Sequence, residues 1–124
     1  MSIDVQGYIG TTVEPWGKLF YRLVWNHLNC ENKRVLDFGS GLGITANHLA
    51  KRNEVIAIEP NREMVANRIL ENPYMQFVGS ADELKKIPDQ SIDVIICHNV
   101  LEYVEDRKCI LKEFVRVLKQ DGFI

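Results

Sequence analysis

The chain has no paired cysteines, no long apolar run and no excess of charge of one sign, and each lack excludes a class of protein. Cys30, Cys97 and Cys109 are odd in number, far apart and without a CxxC spacing. That argues against a disulfide framework and against a zinc site, and leaves reduced thiols in a cytosolic core as the expectation. The longest apolar stretches are strand-like, such as Val94–Cys97, far short of the roughly 20 residues that cross a bilayer. The opening residues MSIDVQGYIG lack the basic start and apolar stretch of a signal peptide. No membrane partner and a cytoplasmic location are therefore expected.

Fifteen Lys and Arg stand against 17 Asp and Glu, a formal net charge of −2. The bases (Lys33, Arg34, Lys51, Arg52, Lys85, Lys86, Arg107, Lys108) are scattered among acids. Such spacing makes solvated faces rather than a stripe that tracks phosphates, so no nucleic-acid partner is expected. Repeats, low-complexity stretches and linkers are missing too, and 124 residues suit one core.

What is present is an alternation. Residues up to about Glu14 read as an irregular arm, and Pro15 suits the first turn of a helix. Trp16, Leu19, Phe20, Leu23, Val24 and Leu28 recur at helical spacing, so residues 1–30 form an arm and an amphipathic helix. From residue 31 onward strands and helices take turns. Arg34–Phe38 reads as a strand, Ile44–Arg52 as a helix and Glu54–Ile58 as a strand. Asn61 caps a helix running to about Glu71, with Met64, Val65 and Ile69 facing inward. Met75–Val78 is a third strand, followed by a polar loop broken by Pro88. Ile92–Cys97 (IDVIIC) is a fourth, and its β-branched run suits burial on both faces, as in a parallel sheet. Asp106–Lys119 is helical, with Ile110, Leu111, Phe114, Val117 and Leu118 on one side and Gly122 as its C-cap. This order predicts right-handed crossovers and a doubly wound, mostly parallel α/β sheet. Phe123 and Ile124 look like the opening of a fifth strand. The expectation is a fragment of a longer protein, incomplete at its C-terminus; the alternative is an open edge covered by another copy, a homo-oligomer.

In such sheets ligands bind beyond the carboxyl ends of the strands. Four stretches fall there: Asp37–Gly43, Glu59–Asn61, Gly79–Asp82 and His98–Leu101. In VLDFGSGLGITANHLA, Gly39, Gly41 and Gly43 occupy every second position. The dinucleotide fingerprint G-x-G-x-x-G needs glycine where Ile44 stands. Alone, the three glycines fit a tight strand–helix turn equally well. Glu59, directly after VIAI and about 20 residues beyond the loop, adds a carboxylate placed to accept two hydrogen bonds from ribose hydroxyls. With no lysine in the loop, the expected ligand is a nucleoside that need not carry phosphate.

Together VLDFGSGLGITANHLA, VIAIEPNREMV, FVGSADELKKIPDQSIDVIICHNVLEYVED and LKEFVRVLKQDGFI resemble the successive motifs of class I S-adenosylmethionine-dependent methyltransferases, over roughly residues 33–124. The resemblance implies a Rossmann-like fold, S-adenosylmethionine as cofactor and S-adenosylhomocysteine as product. It implies that Asp37 and Gly39 lie next to the methionine part and that Ser40 and Gly41 complete the loop. Gly43 would allow close helix–sheet packing. Glu59 would hold the ribose hydroxyls, with Pro60, Asn61 and Met64 lining the adenine edge; Met64 also suits the helix core. Ala81 would offer a backbone N–H to adenine. Where relatives often carry Asp this chain has Ser80, with Asp82 two positions on, and either can take the adenine contact. His98 and Asn99 would touch the cofactor or face the acceptor. His98 is a candidate general base, set against the plainer role of a hydrogen-bonded strand-end histidine. His27 and His48 carry no chemistry, and no metal is implied. Glu102, Glu105 and Asp106 read as a solvated loop and helix start.

The expected activity is methyl transfer to a small-molecule acceptor by in-line displacement, in which positioning supplies most of the acceleration. A cofactor-binding module without transferase activity is the alternative. An NAD-dependent oxidoreductase is a third reading, and the glycine spacing argues against it.

Overall fold

Five short parallel strands carry the architecture, and residues far apart in sequence hold them in register. The computed structural model describes residues 30–97 and 107–123, together with Leu19, Leu23 and Trp25, which have helical backbone. The other positions of the expected Trp16–Leu28 helix lie outside the described residues, as do the arm before it, residues 98–106 and Ile124. The chain divides into two units, Met1–Cys30 and Glu31–Ile124. In the second, the elements are β1 (Arg34–Phe38), α1 (Ile44–Leu49), β2 (Glu54–Glu59), α2 (Arg62–Ala66), β3 (Met75–Val78), a 3₁₀ helix (Ala81–Lys86), β4 (Ile92–Ile96), α3 (Arg107–Val117) and β5 (Leu118–Phe123). The sheet order is β3-β2-β1-β4-β5 with every pair parallel. It is the doubly wound α/β fold that the alternation predicts.

Strand pleating separates two faces. Leu36 pairs with Ile56, and Phe38 with Ile58 and through it Phe77. Those side chains enter the main core with Leu84 and Ile87 around the 3₁₀ helix and Ile110, Phe114 and Val117 of α3. The Phe38 and Phe114 rings meet edge to face at 5.4 Å, a favoured aromatic arrangement. On the opposite face Asp37, Ala57 and Gln76 form one row across β1, β2 and β3. The right-handed crossovers β1–α1–β2 and β2–α2–β3 put α1 and α2 over that face, where Ala46, Leu49, Met64 and Val65 are buried. One face thus carries the main apolar core, and the other carries Asp37 and Gln76.

Several element ends differ from expectation, each for a visible reason. Helix α1 stops at Leu49 rather than Arg52, because the Asn53 amide donates to the Leu49 carbonyl at 3.0 Å and the Arg52 N–H bonds back only three residues. Helix α2 stops at Ala66 rather than near Glu71. The Arg68 N–H reaches Val65 by a three-residue bond, and the Ile69 N–H leaves for the Leu42 carbonyl at 2.8 Å. Ile69 therefore falls out of helical phase and is exposed instead of inward. The loop after β3 holds a 3₁₀ helix. In α3 only Ile110, Phe114 and Val117 are buried; Leu111 is exposed and Leu118 already belongs to β5. Gly122 is not a C-cap but a β5 residue.

A fifth strand is present, but it spans Leu118–Phe123 rather than opening at Phe123. Leu118 pairs with Ile92 and Phe123 with Val94, so residues 119–122 bulge between the two pairings. A Cβ on Gly122 would stand 3.1 Å from the Asp93 carbonyl oxygen and 2.8 Å from Leu118 Cδ2, which leaves no room for a side chain. Asp93 ties the region together by accepting the Arg34 N–H at 2.8 Å and pairing with Lys119. Those contacts, the Arg34 N–H first, hold its carboxyl below the usual carboxylate range. Among the described residues, no helix is long and apolar enough to cross a membrane.

Candidate functional site

The strand order reverses between β1 and β4, because the chain leaves β1 toward β2 on one side and reaches β4 on the other. That reversal opens a crevice at the carboxyl ends of the strands. After Phe38 the backbone must turn out of the sheet and enter α1 within five residues. Gly39, Gly41 and Gly43 do so with φ of 87°, 57° and 75°, a left-handed region that residues with a Cβ enter at a cost. The Gly39 and Ser40 N–H groups both donate to the Ile58 carbonyl, at 2.7 and 3.1 Å, and the Gly43 N–H closes a turn on the Ser40 carbonyl at 2.9 Å. The loop is thereby tied across the end of β2.

Glu59 ends β2 and is only 7% exposed. Its Oε1 accepts the Gly41 N–H at 2.9 Å and its Oε2 accepts the Asn61 N–H at 2.8 Å. Two backbone donors thus lock the plane of the carboxylate, while each oxygen keeps a further acceptor direction. Asn61 in turn accepts the Glu63 and Met64 N–H groups on its Oδ1, capping α2. Pro60 is exposed between them. Met64 is buried, and its sulfur lies 3.5 Å from where a Cβ on Gly41 would stand. Asp37, Gly39, Ser40, Gly41, Glu59, Asn61 and Met64 are therefore brought together by the loop and the β2–α2 junction.

Asp37 is the electrostatic centre of the crevice. It is 4% exposed. Burial, and after it the charge of Glu59, pushes its pKa up to about 7. A buried carboxylate is costly unless something cationic or hydrogen-bonding meets it. In the same row Gln76 donates to the Phe77 carbonyl at 3.0 Å and reaches the Ser40 hydroxyl at 3.4 Å, while its Oε1 is buried with no hydrogen-bond partner among the described residues. Gln76 is absent from the sequence-based candidates. The alternation in MQFV, which places it on the Asp37 face, is the signal that points to it.

At the end of β3 the Gly79 N–H donates to the Glu59 carbonyl at 3.0 Å, which brings Ser80 and Ala81 beside the crevice. Ser80 is exposed, and Ala81 starts the 3₁₀ helix packed against the core. Asp82 is turned out: its side chain is 95% exposed, 3.9 Å from Lys85. Glu83 folds over Gly79 instead and pairs with Lys86 at 2.6 Å. His98 and Asn99 lie outside the described residues. Gly43 differs from expectation. The group that requires its missing side chain is the Tyr74 hydroxyl, 2.3 Å from where a Cβ would stand.

A family model described as a methyltransferase domain matches residues 36–124. The uncharacterized methyltransferase YcgJ of Bacillus subtilis is 36% identical over 97 residues, covering 72% of this chain and 38% of that protein. Its crystal structure superposes with a TM-score of 0.70, covering 82% of this chain and 47% of that one. The human thiol S-methyltransferase TMT1A is 30% identical over 95 residues, 71% of this chain and 39% of the relative. The tRNA 5-carboxymethoxyuridine methyltransferase of Escherichia coli K12 is 29% identical over 125 residues, 87% of this chain and 47% of the relative. The chain spans less than half the length of these relatives.

Proposed function

This chain belongs to the class I S-adenosylmethionine-dependent methyltransferase family, and on that premise we propose that its crevice holds the methyl donor for transfer to a small-molecule acceptor. The observation that carries the proposal is the Glu59 carboxylate, locked by Gly41 and Asn61 with an acceptor direction left on each oxygen. Such a group is preorganised for the two adjacent hydroxyls of a ribose, and its charge strengthens both contacts.

The residues present fit a cationic nucleoside. Asp37 offers a buried carboxyl, close enough to Glu59 for the two charges to interact. A positive ligand relieves that repulsion and satisfies Asp37. Gly39, Ser40 and Gly41 present main chain with little side chain in the way. Met64 offers a soft apolar surface to a planar base. Since Asp82 faces solvent, the adenine contact falls to Ser80 and to the backbone of Ala81.

The methyl donor supplies a sulfonium-bound methyl group already activated for displacement. The chain's own task is then to fix the donor and exclude water, with a base needed only where the acceptor must lose a proton. A net charge of −2 without a basic stripe, and a relative named for thiol methylation, support a small acceptor. Titration calorimetry with S-adenosylmethionine, S-adenosylhomocysteine and NAD tests the crevice, and binding of NAD alone defeats the proposal. Methyl-labelled donor offered with a metabolite pool and, separately, with bulk tRNA tests the acceptor. Label in small molecules is expected, label only in tRNA overturns the acceptor class, and binding with no labelled product leaves a cofactor-holding domain.

A further inference from the structure

Between α2 and β3 the chain runs through residues 67–74, and this connector is hydrogen-bonded to the glycine loop and α1. The Ile69 N–H donates to the Leu42 carbonyl at 2.8 Å. The Glu71 and Asn72 N–H groups converge on the Asn47 Oδ1, both at 2.8 Å, and the Asn72 amide returns to the Asn47 carbonyl at 3.0 Å. The Tyr74 hydroxyl donates to the Ile69 carbonyl at 2.7 Å and occupies the space beside Gly43 that any Cβ would need. Asn47 is buried, so these bonds are shielded from water.

We infer that Tyr74 is a positioning residue for the donor grip: seated against Gly43, its hydroxyl sets where the loop presents the Gly41 N–H to Glu59. The transmission is short. The Gly43 N–H to Ser40 carbonyl bond makes residues 40–43 one turn, so the contact at Gly43 fixes Gly41 two residues away. The phenol also lies within electrostatic range of Arg68 and Asp37. The connector acts through the loop, by its bonds to Leu42 and Asn47 and the contact at Gly43. The inference rests on the reading of the crevice as the donor site.

The test uses Tyr74→Phe in the full chain, a change that removes one oxygen. Without any ligand, amide exchange at Gly41 is expected to rise about tenfold, while amides of β1 and β4 keep their protection. The affinity for S-adenosylhomocysteine is expected to fall about fivefold, the size of one lost hydrogen bond. A Gly43→Ala and Tyr74→Phe double-mutant cycle supplies the second arm. The added methyl collides with the Tyr74 oxygen, so the double variant should bind no more weakly than Gly43→Ala alone. Unchanged exchange at Gly41, or losses that simply add, overturns the role of Tyr74 while leaving the donor site standing. A wild-type chain that binds neither form of the cofactor overturns the donor site, and the grip with it.

Discussion

Glu59 and Gly41, 18 positions apart, meet through a 2.9 Å hydrogen bond from the Gly41 N–H to the Glu59 Oε1. The bond joins the carboxyl end of β2 to the loop after β1, the two places where a nucleoside would be gripped. It exists because a glycine at φ 57° can turn its N–H inward while the β2 register brings Glu59 to the sheet end. Most of the expected behaviour of the crevice follows from that contact.

Glu59→Ala should weaken S-adenosylhomocysteine binding by at least about a hundredfold, since two charge-assisted contacts are lost. It also strands the Gly41 and Asn61 N–H groups, at about 1–3 kcal/mol each. Glu59→Gln keeps an acceptor for one of them and should recover much of the stability but little of the affinity. Calorimetric titration beside urea unfolding checks both halves, and unchanged affinity in either variant removes the ribose assignment.

Asp37 should make stability fall as pH rises. Its folded pKa of about 7 exceeds the ordinary 3.8, so between those values the folded chain holds a proton that the unfolded chain has released. The contribution is complete below the unfolded value and is lost on the way up to the folded one. Relative to Asp37→Asn, the wild type should lose about 2–3 kcal/mol in urea unfolding from roughly pH 5 to roughly pH 8. Affinity for the cationic donor should rise across the same window in the wild type only. Parallel stability curves for the two proteins would contradict the assignment.

Gly41→Ala places a methyl within ordinary contact of Met64, at 3.5 Å, but on a backbone at φ 57°. The strain costs about 1–2 kcal/mol, which the fold should tolerate, while the methyl occupies main chain that the ligand approaches. Circular dichroism should show the wild-type spectrum, and calorimetry should show at least about tenfold weaker cofactor binding. Equal affinity would mean that the ligand does not approach there.

Arg116 supplies the contrast. Its guanidinium donates to the Leu84 carbonyl at 2.8 Å and the Ile87 carbonyl at 2.9 Å, and it pairs with Asp89 and Glu113. Those carbonyls end the 3₁₀ helix on the apolar face, away from the crevice. Arg116→Ala should lower stability by about 1–3 kcal/mol and leave cofactor affinity within about twofold. A large loss of affinity would show that the two faces are coupled.

Much of the crevice was legible before any coordinates. The positions of β1 to β4, the three glycines and Glu59 rest on local periodicity and on where a parallel strand ends, and the β2–β3 register places Glu59 at the sheet end. The cap by Asn61 was legible for the same reason, since it needs only neighbours two and three residues on. The length of α2 was not: its pattern continues past Ala66, but a bond from Ile69 to Leu42, distant in sequence, ends the helix. Gly122 likewise reads as a cap, until the approach of Asp93 shows that it is the tight point of a strand.

By itself, then, the amino-acid sequence determined the alternation of strands and helices, the crevice at the reversal of the sheet, and the acid and glycines that border it. Only the tertiary structure decided that Glu59 is locked by two amides, that Asp37 is buried beside it with a pKa near 7, that Asp82 faces water, and that Tyr74 fills the space beside Gly43. Periodicity is a property of neighbours along the chain. Burial, charge coupling and steric fit arise from which distant segments the packing brings together.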